Sequence, residues 1–253
     1  MPGAGSGYNA CMAVQPPDAE FCFDPEAFGL IELPRSFYLR QTVTVAQALI
    51  GKWFARRYRR RWYGGRIVET EAYLGSKDAA AHSWRGRRTP RVEPMYLEGG
   101  HIYVFFVYGM HACANIVTRP AGIAEAVLLR AAEGPPGASS RRMSGPGRLC
   151  SALGINVSMS GADLLAGGDL RVLRHRDERR PRIGVTPRIG VDYAGDARLW
   201  PLRFFELNSP AVSGPARLRA NPMGTRSQLP SRNSVAECAG RAPEGRKDDS
   251  RGR

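Results

Sequence analysis

Lysine is scarce in this 253-residue chain: Lys52, Lys77 and Lys247 are the only ones, which leaves few nucleophiles for amine-based covalent chemistry. Cysteine is also thin. Cys11, Cys22, Cys113, Cys150 and Cys238 form no CxxC pair and no regular spacing, which excludes a disulfide framework and fits a reducing compartment. His111 and Cys113 come nearest to a metal-ligand pair, and with no further ligands clustered beside them no metal site is expected. No apolar run is long enough to span a bilayer, and the opening MPGAGSGYNA lacks the basic start and apolar stretch of a secretory signal. An intracellular protein without membrane association is therefore expected. The H-x-E and later P-C-x-x-C pattern of zinc-dependent base deaminases is absent as well.

What the chain has in excess is arginine. A formal charge of +14 makes a polyanion the natural partner of whichever face carries it, although solvated basic surfaces are common. Residues 1–33 are rich in Gly, Pro and Ala without helical or strand period and read as a flexible leader. Residues 214–253, with Arg217, Arg219, Arg226, Arg232, Arg241 and Arg246 among prolines and glycines, read as a disordered basic tail. One ordered domain over 34–213 remains.

Within it, Thr44 and Gln47 make a capping box, and Val45, Ala46, Ala48, Leu49 and Ile50 predict a short apolar helix closed by Gly51. Residues 52–59 and 65–73 read as paired strands joined by Gly64 and Gly65. Two further apolar runs, 101–107 and 112–118, flank Gly109, and 126–131 follows a turn at Pro120. A second helix begins at Gly147 after the tight Gly145-Pro146 lead-in and is closed by Gly154; 182–185, 188–191 and 202–207 are strand-like. The order predicts an α+β domain with an antiparallel core and few helices.

The segment from Gly65 to Tyr73 carries the most chemistry. On a strand, Ile67, Glu69, Glu71 and Tyr73 would share a face at roughly 6–7 Å spacing. Cleaving a glycosidic bond calls for such carboxylates, because one can steady a cation-like sugar and take a proton from water. A solvated strand face with surface glutamates accounts for the same spacing, and spacing does not choose between Glu69 and Glu71. Next come Tyr103, Phe105 and Tyr108 on a hairpin. Tyr108, just before Gly109, reads equally as a core residue and as a wedge that fills the gap left by an extruded base. His82, in a run of small residues, is by default a structural histidine. The lead-in to the second helix offers backbone N–H groups at Gly145 and Gly147, beside Arg148, to a phosphate. The basic run from Arg171 to Arg182 is interrupted by Asp177 and Glu178 and reads as a solvated loop.

From about Phe37 to about Ser213 the chain resembles the alkyladenine (3-methyladenine) DNA glycosylase family. The matching strings are GRIVETEAYLG (65–75), DAAAHS (78–83), RRTPR (87–91), YVFFVYGMHACAN (103–115), AVLLRA (126–131), GPGRLCSALGIN (145–156), and RIGVDYAG followed by PLRFF (188–205). The resemblance implies a curved antiparallel sheet with short helices, like the fold of the methionyl-tRNA formyltransferase C-terminal domain. It implies Glu71 as the base that activates water and Arg130 as the group that helps hold that water and the carboxylate. Tyr73 and His82 would line the base pocket, Phe105 would stack on the purine face opposite Tyr73, and Asn115 would exclude bases with an extra exocyclic amino group. Tyr108 would intercalate, Arg91, Gly145, Gly147 and Arg148 would meet phosphates, and Glu69 becomes structural. The expected partner is double-stranded DNA containing damaged purines, bound by a monomer without cofactor or metal. With no lysine in a catalytic string, backbone cleavage is not expected.

Three positions depart from the family pattern. Phe105 stands where tyrosine is usual, which keeps a stacking surface and drops a hydroxyl. Val92 replaces a usual asparagine, and Gly99 a usual proline. Two rival functions use other features: a catalytically silent nucleic-acid-binding module would need no Glu71, and a metal-dependent nuclease would need more carboxylates than Glu69 and Glu71.

Overall fold

Ten strands join one sheet in the computed structural model, which describes residues 15–107, 111–177 and 181–215. In chain order they are β1 (Cys22–Phe23), β2 (Leu30–Glu32), β3 (Trp53–Tyr58), β4 (Arg61–Tyr73), β5 (Ile102–Val107), β6 (His111–Thr118), β7 (Glu125–Glu133), β8 (Leu170–His175), β9 (Ile183–Thr186) and β10 (Arg203–Glu206). The main path runs β2-β8-β3-β4-β7-β6-β5, and every named strand pair is antiparallel. β4 is the spine: its first half pairs with β3 and β1, its second half with β7 and β10. The helices are short, α1 (Arg35–Tyr38), α2 (Thr42–Leu49) and α3 (Pro146–Ala152). This is a single α+β domain.

The main core lies on the helical side. Val45, Ala46 and Leu49 of α2 and Leu149, Cys150 and Ala152 of α3 pack there on Ile102, Val104, Ala114, Ile116, Val127 and Leu129. Each fully buried Leu or Ile contributes about 1.5–3 kcal/mol. Because side chains alternate along a strand, these residues commit Tyr103, Phe105, Asn115 and Leu128 to the other side of the sheet.

Several local expectations are corrected. Residues 15–33 belong to the domain: β1 pairs with β4, β2 pairs with β8, and Phe21 and Leu33 enter the main core. These apolar residues are sparse, yet they bury. Helix α2 starts at Thr42 with Gln41 as its cap and no side-chain cap bond, so Thr44 and Gln47 form no capping box. Thr42 instead directs its hydroxyl to Thr118 Oγ1 at 2.7 Å and to the Glu125 carboxylate. The β3–β4 connection is not Gly64-Gly65 but Arg59-Arg60, both left-handed with φ of 47° and 64°, between paired Tyr58 and Arg61. The two glycines lie inside β4 because neighbours crowd them; a Cβ would lie 2.5 Å from Phe54 O at Gly64 and 2.5 Å from Met143 Cε at Gly65. Residues 188–191 are not a strand.

Candidate active site

One line of cross-strand partners organises the face opposite the helices. Arg203 of β10 pairs with Glu71 of β4, Glu71 with Leu128 of β7, Leu128 with Asn115 of β6, and Asn115 with Tyr103 of β5. Directly paired residues point to the same side, so these side chains form a row. Tyr73, Arg130 and Phe105, each two positions along a strand from a row member, join the same face. Ile67 does not, contrary to the simple alternation. Paired bulges between Ile67 and Thr70 shift the register, and Ile67 packs in the main core with Ala72 while Glu69 turns to the polar side.

Glu71 is fully covered, by polar groups rather than aliphatics. Its Oε1 accepts the Ile189 N–H at 2.8 Å and lies 3.2 Å from Arg130 Nη1. Its Oε2 accepts the Tyr73 hydroxyl at 3.0 Å. Burial and then the Glu71 charge push the Tyr73 phenol well above its usual range, so the phenol stays protonated and donates. The Ile189 contact explains why 188–191 leaves the sheet: its backbone turns inward to serve the carboxylate.

Glu69 has a different job. It accepts Arg130 Nε at 2.9 Å, Arg203 Nε at 2.6 Å, and the Ser213 N–H at 2.6 Å and hydroxyl at 3.0 Å. Arg203 also reaches Thr186 Oγ1 at 2.9 Å and Ser213 O at 3.1 Å, all in the interior. Burial opposes the Arg130 charge, but Glu71 and then Glu69 outweigh it and raise the guanidinium further above its already high range. Arg203, Ser213 and the Ile189 amide were not singled out from the sequence; only their place in the matched or flanking strings hinted at them.

A second aromatic group lies at the other end of the row. His82, from the segment between β4 and β5, places Nδ1 2.9 Å from the buried Tyr103 hydroxyl and packs edge-on against Phe105 with centroids 4.4 Å apart. Tyr103 and Phe105 stack at 5.4 Å. Burial first, then Arg91 and Arg87, push His82 down to about 4, so it is neutral at physiological pH. Arg91 donates to Phe106 O at 3.2 Å and lies 5.7 Å from the Phe105 ring. Asn115 donates from Nδ2 to Tyr103 O at 3.2 Å, which ties its amide to the β5–β6 pair.

On the Glu71 side, Arg188 lies 4.7 Å from the Tyr73 ring and donates to both oxygens of Asp78, one of them at 2.8 Å. Tyr73 packs with Ala80, Val191, Ala194 and Ala197, while Phe105 packs with Val92, Met95 and Tyr103. Leu128 and Asn115 lie between these two clusters in the row. Val92, one of the departures, is thus an apolar support for the aromatics. Gly99 is another: its N–H donates to Arg119 O at 2.9 Å, a bond proline lacks, and a Cβ there would lie 2.9 Å from Tyr38 O.

The remaining expected residues fare unequally. Gly145 does not offer its N–H to a phosphate, because that group donates to Arg130 O at 3.0 Å; its φ of 126° turns the chain into α3. Gly147 lies against His111, where a Cβ would sit 3.0 Å from the imidazole's Cβ, and Arg148 is exposed. Tyr108 falls outside the described residues. Among the described residues no three His, Cys, Asp or Glu side chains group as metal ligands. A cleft of about 920 Å³ opens at the β3–β4 hairpin and contains none of the residues above.

Comparison with known proteins shows which family the chain is similar to. A family model described as methylpurine-DNA glycosylase matches residues 36–210. A protein of Bdellovibrio bacteriovorus is 43% identical over 180 residues, covering 68% of this chain and 94% of its own length. One from Methanocella arvoryzae is 44% identical over 196 residues, covering 72% and 95%. One from Desulfitobacterium hafniense is 42% identical over 200 residues, covering 72% and 98%. Each carries the provisional name 3-methyladenine DNA glycosylase.

Proposed function

The chain belongs to the methylpurine-DNA glycosylase family, and on that premise we propose that it releases alkylated purines from double-stranded DNA by hydrolysis, with Glu71 as general base. The damaged nucleotide swings out of the duplex onto the face between Tyr73 and Phe105, and Tyr108 fills the gap it leaves. Alkylation at a ring nitrogen makes the purine cationic, so the bond from C1′ to the base breaks with its electron pair going to the base, which departs neutral. Positive charge builds on the sugar. Water adds to C1′ as its proton passes to Glu71, leaving an abasic sugar and an intact phosphate backbone.

The observation that carries this reading is the sharing of donors over the Glu71 carboxylate. Oε1 is engaged by the Ile189 N–H and Arg130, whereas among the described residues Oε2 accepts a hydrogen bond from the Tyr73 hydroxyl alone. Water reaches Oε2 by displacing that hydroxyl, while the Arg130 guanidinium stays beside Oε1. His82, neutral at physiological pH and held 2.9 Å from the Tyr103 hydroxyl through Nδ1, lines the pocket beside Phe105. Arg148 and the first-turn amides of Gly147 and Arg148 grip the DNA backbone. We assign the same enzyme a fold like that of the methionyl-tRNA formyltransferase C-terminal domain, and we expect it to act as a monomer without cofactor or lyase step.

Duplexes carrying 3-methyladenine, 7-methylguanine, hypoxanthine or ethenoadenine, incubated with and without excess chelator, test the proposal. Free base should appear with wild type, and Glu71→Gln should slow release by about 10²–10⁴-fold while keeping affinity for abasic-site DNA. Chelator-sensitive strand cleavage would replace it with a nuclease, and tight binding without product would replace it with a silent binding module.

A further inference from the structure

The β3–β4 hairpin carries Arg57, Arg59, Arg60 and Arg61, all exposed, at the end of β4 away from Glu71. At roughly 3.3 Å per residue, its tip lies about 30 Å along the strand from that carboxylate. The hairpin walls a cleft of about 920 Å³ whose other side is formed by Met159, Ala162, Gly168 and Leu170. Two carboxylates line it, and both are already paired. Asp163 is bound by Arg35 at 2.6 Å and Asp169 by Arg57 at 3.1 Å. Among the described residues no carboxylate pairs with Arg59, Arg60 or Arg61, so the rim keeps a net positive charge.

The turn itself is held against local preference. Both residues of a two-residue hairpin turn of this kind have positive φ, which favours Asn-Gly; here both are arginine. Each non-glycine residue in that region costs of order 1 kcal/mol. In exchange, two guanidinium groups are carried on the tip. Trp62, half-buried in the cleft wall, has the Arg57 and Arg171 guanidiniums each 5.8 Å from its ring, so it presents no open apolar socket. A cleft with charge and no exposed apolar anchor suits a phosphate chain better than a peptide, which would need such an anchor.

We propose that this cleft is a second, sequence-independent DNA site that holds a different duplex segment from the one at Glu71. The two sites lie at opposite ends of β4. The cleft wraps the end of the hairpin: Arg56 bonds Leu153 O at 2.8 Å next to α3, while Arg57 and its cross-strand partner Trp62 turn to the opposite face of the sheet. An enzyme gripping two segments can pass from one to the other without full release, which shortens a search for rare damage. The identity of the polyanion rests on the reading under Proposed function.

The double substitution Arg59→Asn with Arg60→Gly tests the site, because it installs the preferred turn pair and so preserves the hairpin while removing two charges. Wild type and variant are each saturated with a duplex containing an abasic site, then titrated with a second, fluorescent, undamaged duplex at several salt concentrations. Wild type should bind the second duplex. The variant should bind it roughly tenfold or more weakly, with the log K against log salt slope shallower by about 1.8, and base release from a short methylated duplex should be unchanged. Equal binding by both proteins, no second duplex on wild type, or tighter binding of a glutamate-rich peptide than of DNA at equal charge would overturn the proposal. Absence of base release from wild type would sink the reading of Glu71 and leave this one standing, whereas release lost only in the variant would overturn this one.

Discussion

Arg130 lies 3.2 Å from Glu71 and donates through Nε to Glu69 at 2.9 Å, so one guanidinium joins both carboxylates of β4. The two acids are chemically alike and do different work because of what else surrounds them. Glu69 is saturated by Arg203 and Ser213 behind it, and thereby fixes the plane of Arg130; Glu71 keeps the side turned toward Tyr73.

Glu71→Gln should lower single-turnover base release from methylated duplex by about 10²–10⁴-fold, the usual worth of a general base. Affinity for abasic-site DNA, followed by anisotropy, should change little. Release at an undiminished rate would remove Glu71 from the chemistry.

Glu69→Gln should act mainly on the fold. Neutralising a carboxylate that pairs with Arg203 and Arg130 in the interior costs about 3–5 kcal/mol. For a domain of this size that is a drop of roughly 6–20 °C in Tm, measurable by calorimetry.

The lowered pKa of His82 carries a pH dependence. With a folded value of about 4 and an ordinary value of 6.5, the unfolded chain binds the proton first as pH falls. The contribution is therefore fully present above 6.5 and lost progressively as pH drops toward 4. Urea titrations from pH 7 to pH 4 should show that loss in wild type and a smaller loss in His82→Gln.

Phe105→Ala should reduce single-turnover release by about 5–150-fold, the equivalent of about 1–3 kcal/mol of base stacking. Phe105→Tyr should retain the overall rate and alter the ratio between hypoxanthine and 3-methyladenine release, since it restores a hydroxyl beside His82.

Gly64→Ala places a Cβ 2.5 Å from Phe54 O, a backbone atom that cannot turn aside. A cost of about 1–3 kcal/mol is expected, with Tm down by roughly 2–4 °C for each kcal/mol. Activity at low temperature should persist, because the position is far along β4 from Glu71.

Much of this architecture can be read from residues alone. The apolar runs over 101–107 and 112–118 on either side of Gly109 locate the β5–β6 hairpin to within a residue, because both segments are buried. Helix α3 is equally legible from its Pro and Gly punctuation. The failures have physical reasons. A Gly-Gly pair looks like a turn until the crowding across β4 is known, and two left-handed arginines do not look like one. The bulge that separates Ile67 from Glu69 depends on β7, which lies distant in sequence. Arg203 and the Ile189 amide are invisible to local pattern, because their importance comes only from where the sheet and the following loop bring them.

The row from Arg203 through Glu71, Leu128 and Asn115 to Tyr103 ties chemistry to parity. Deleting one residue from β6 ahead of position 115 would turn its carboxamide into the aliphatic interior and bring Ile116 out in its stead. Strand lengths are thus the rigid quantity in this enzyme. The stretch at 74–101, which approaches the row from outside the ladder, is where insertions or deletions leave the strand partners of Glu71 in place, whereas 187–202 supplies the Ile189 N–H to that carboxylate and has no such freedom.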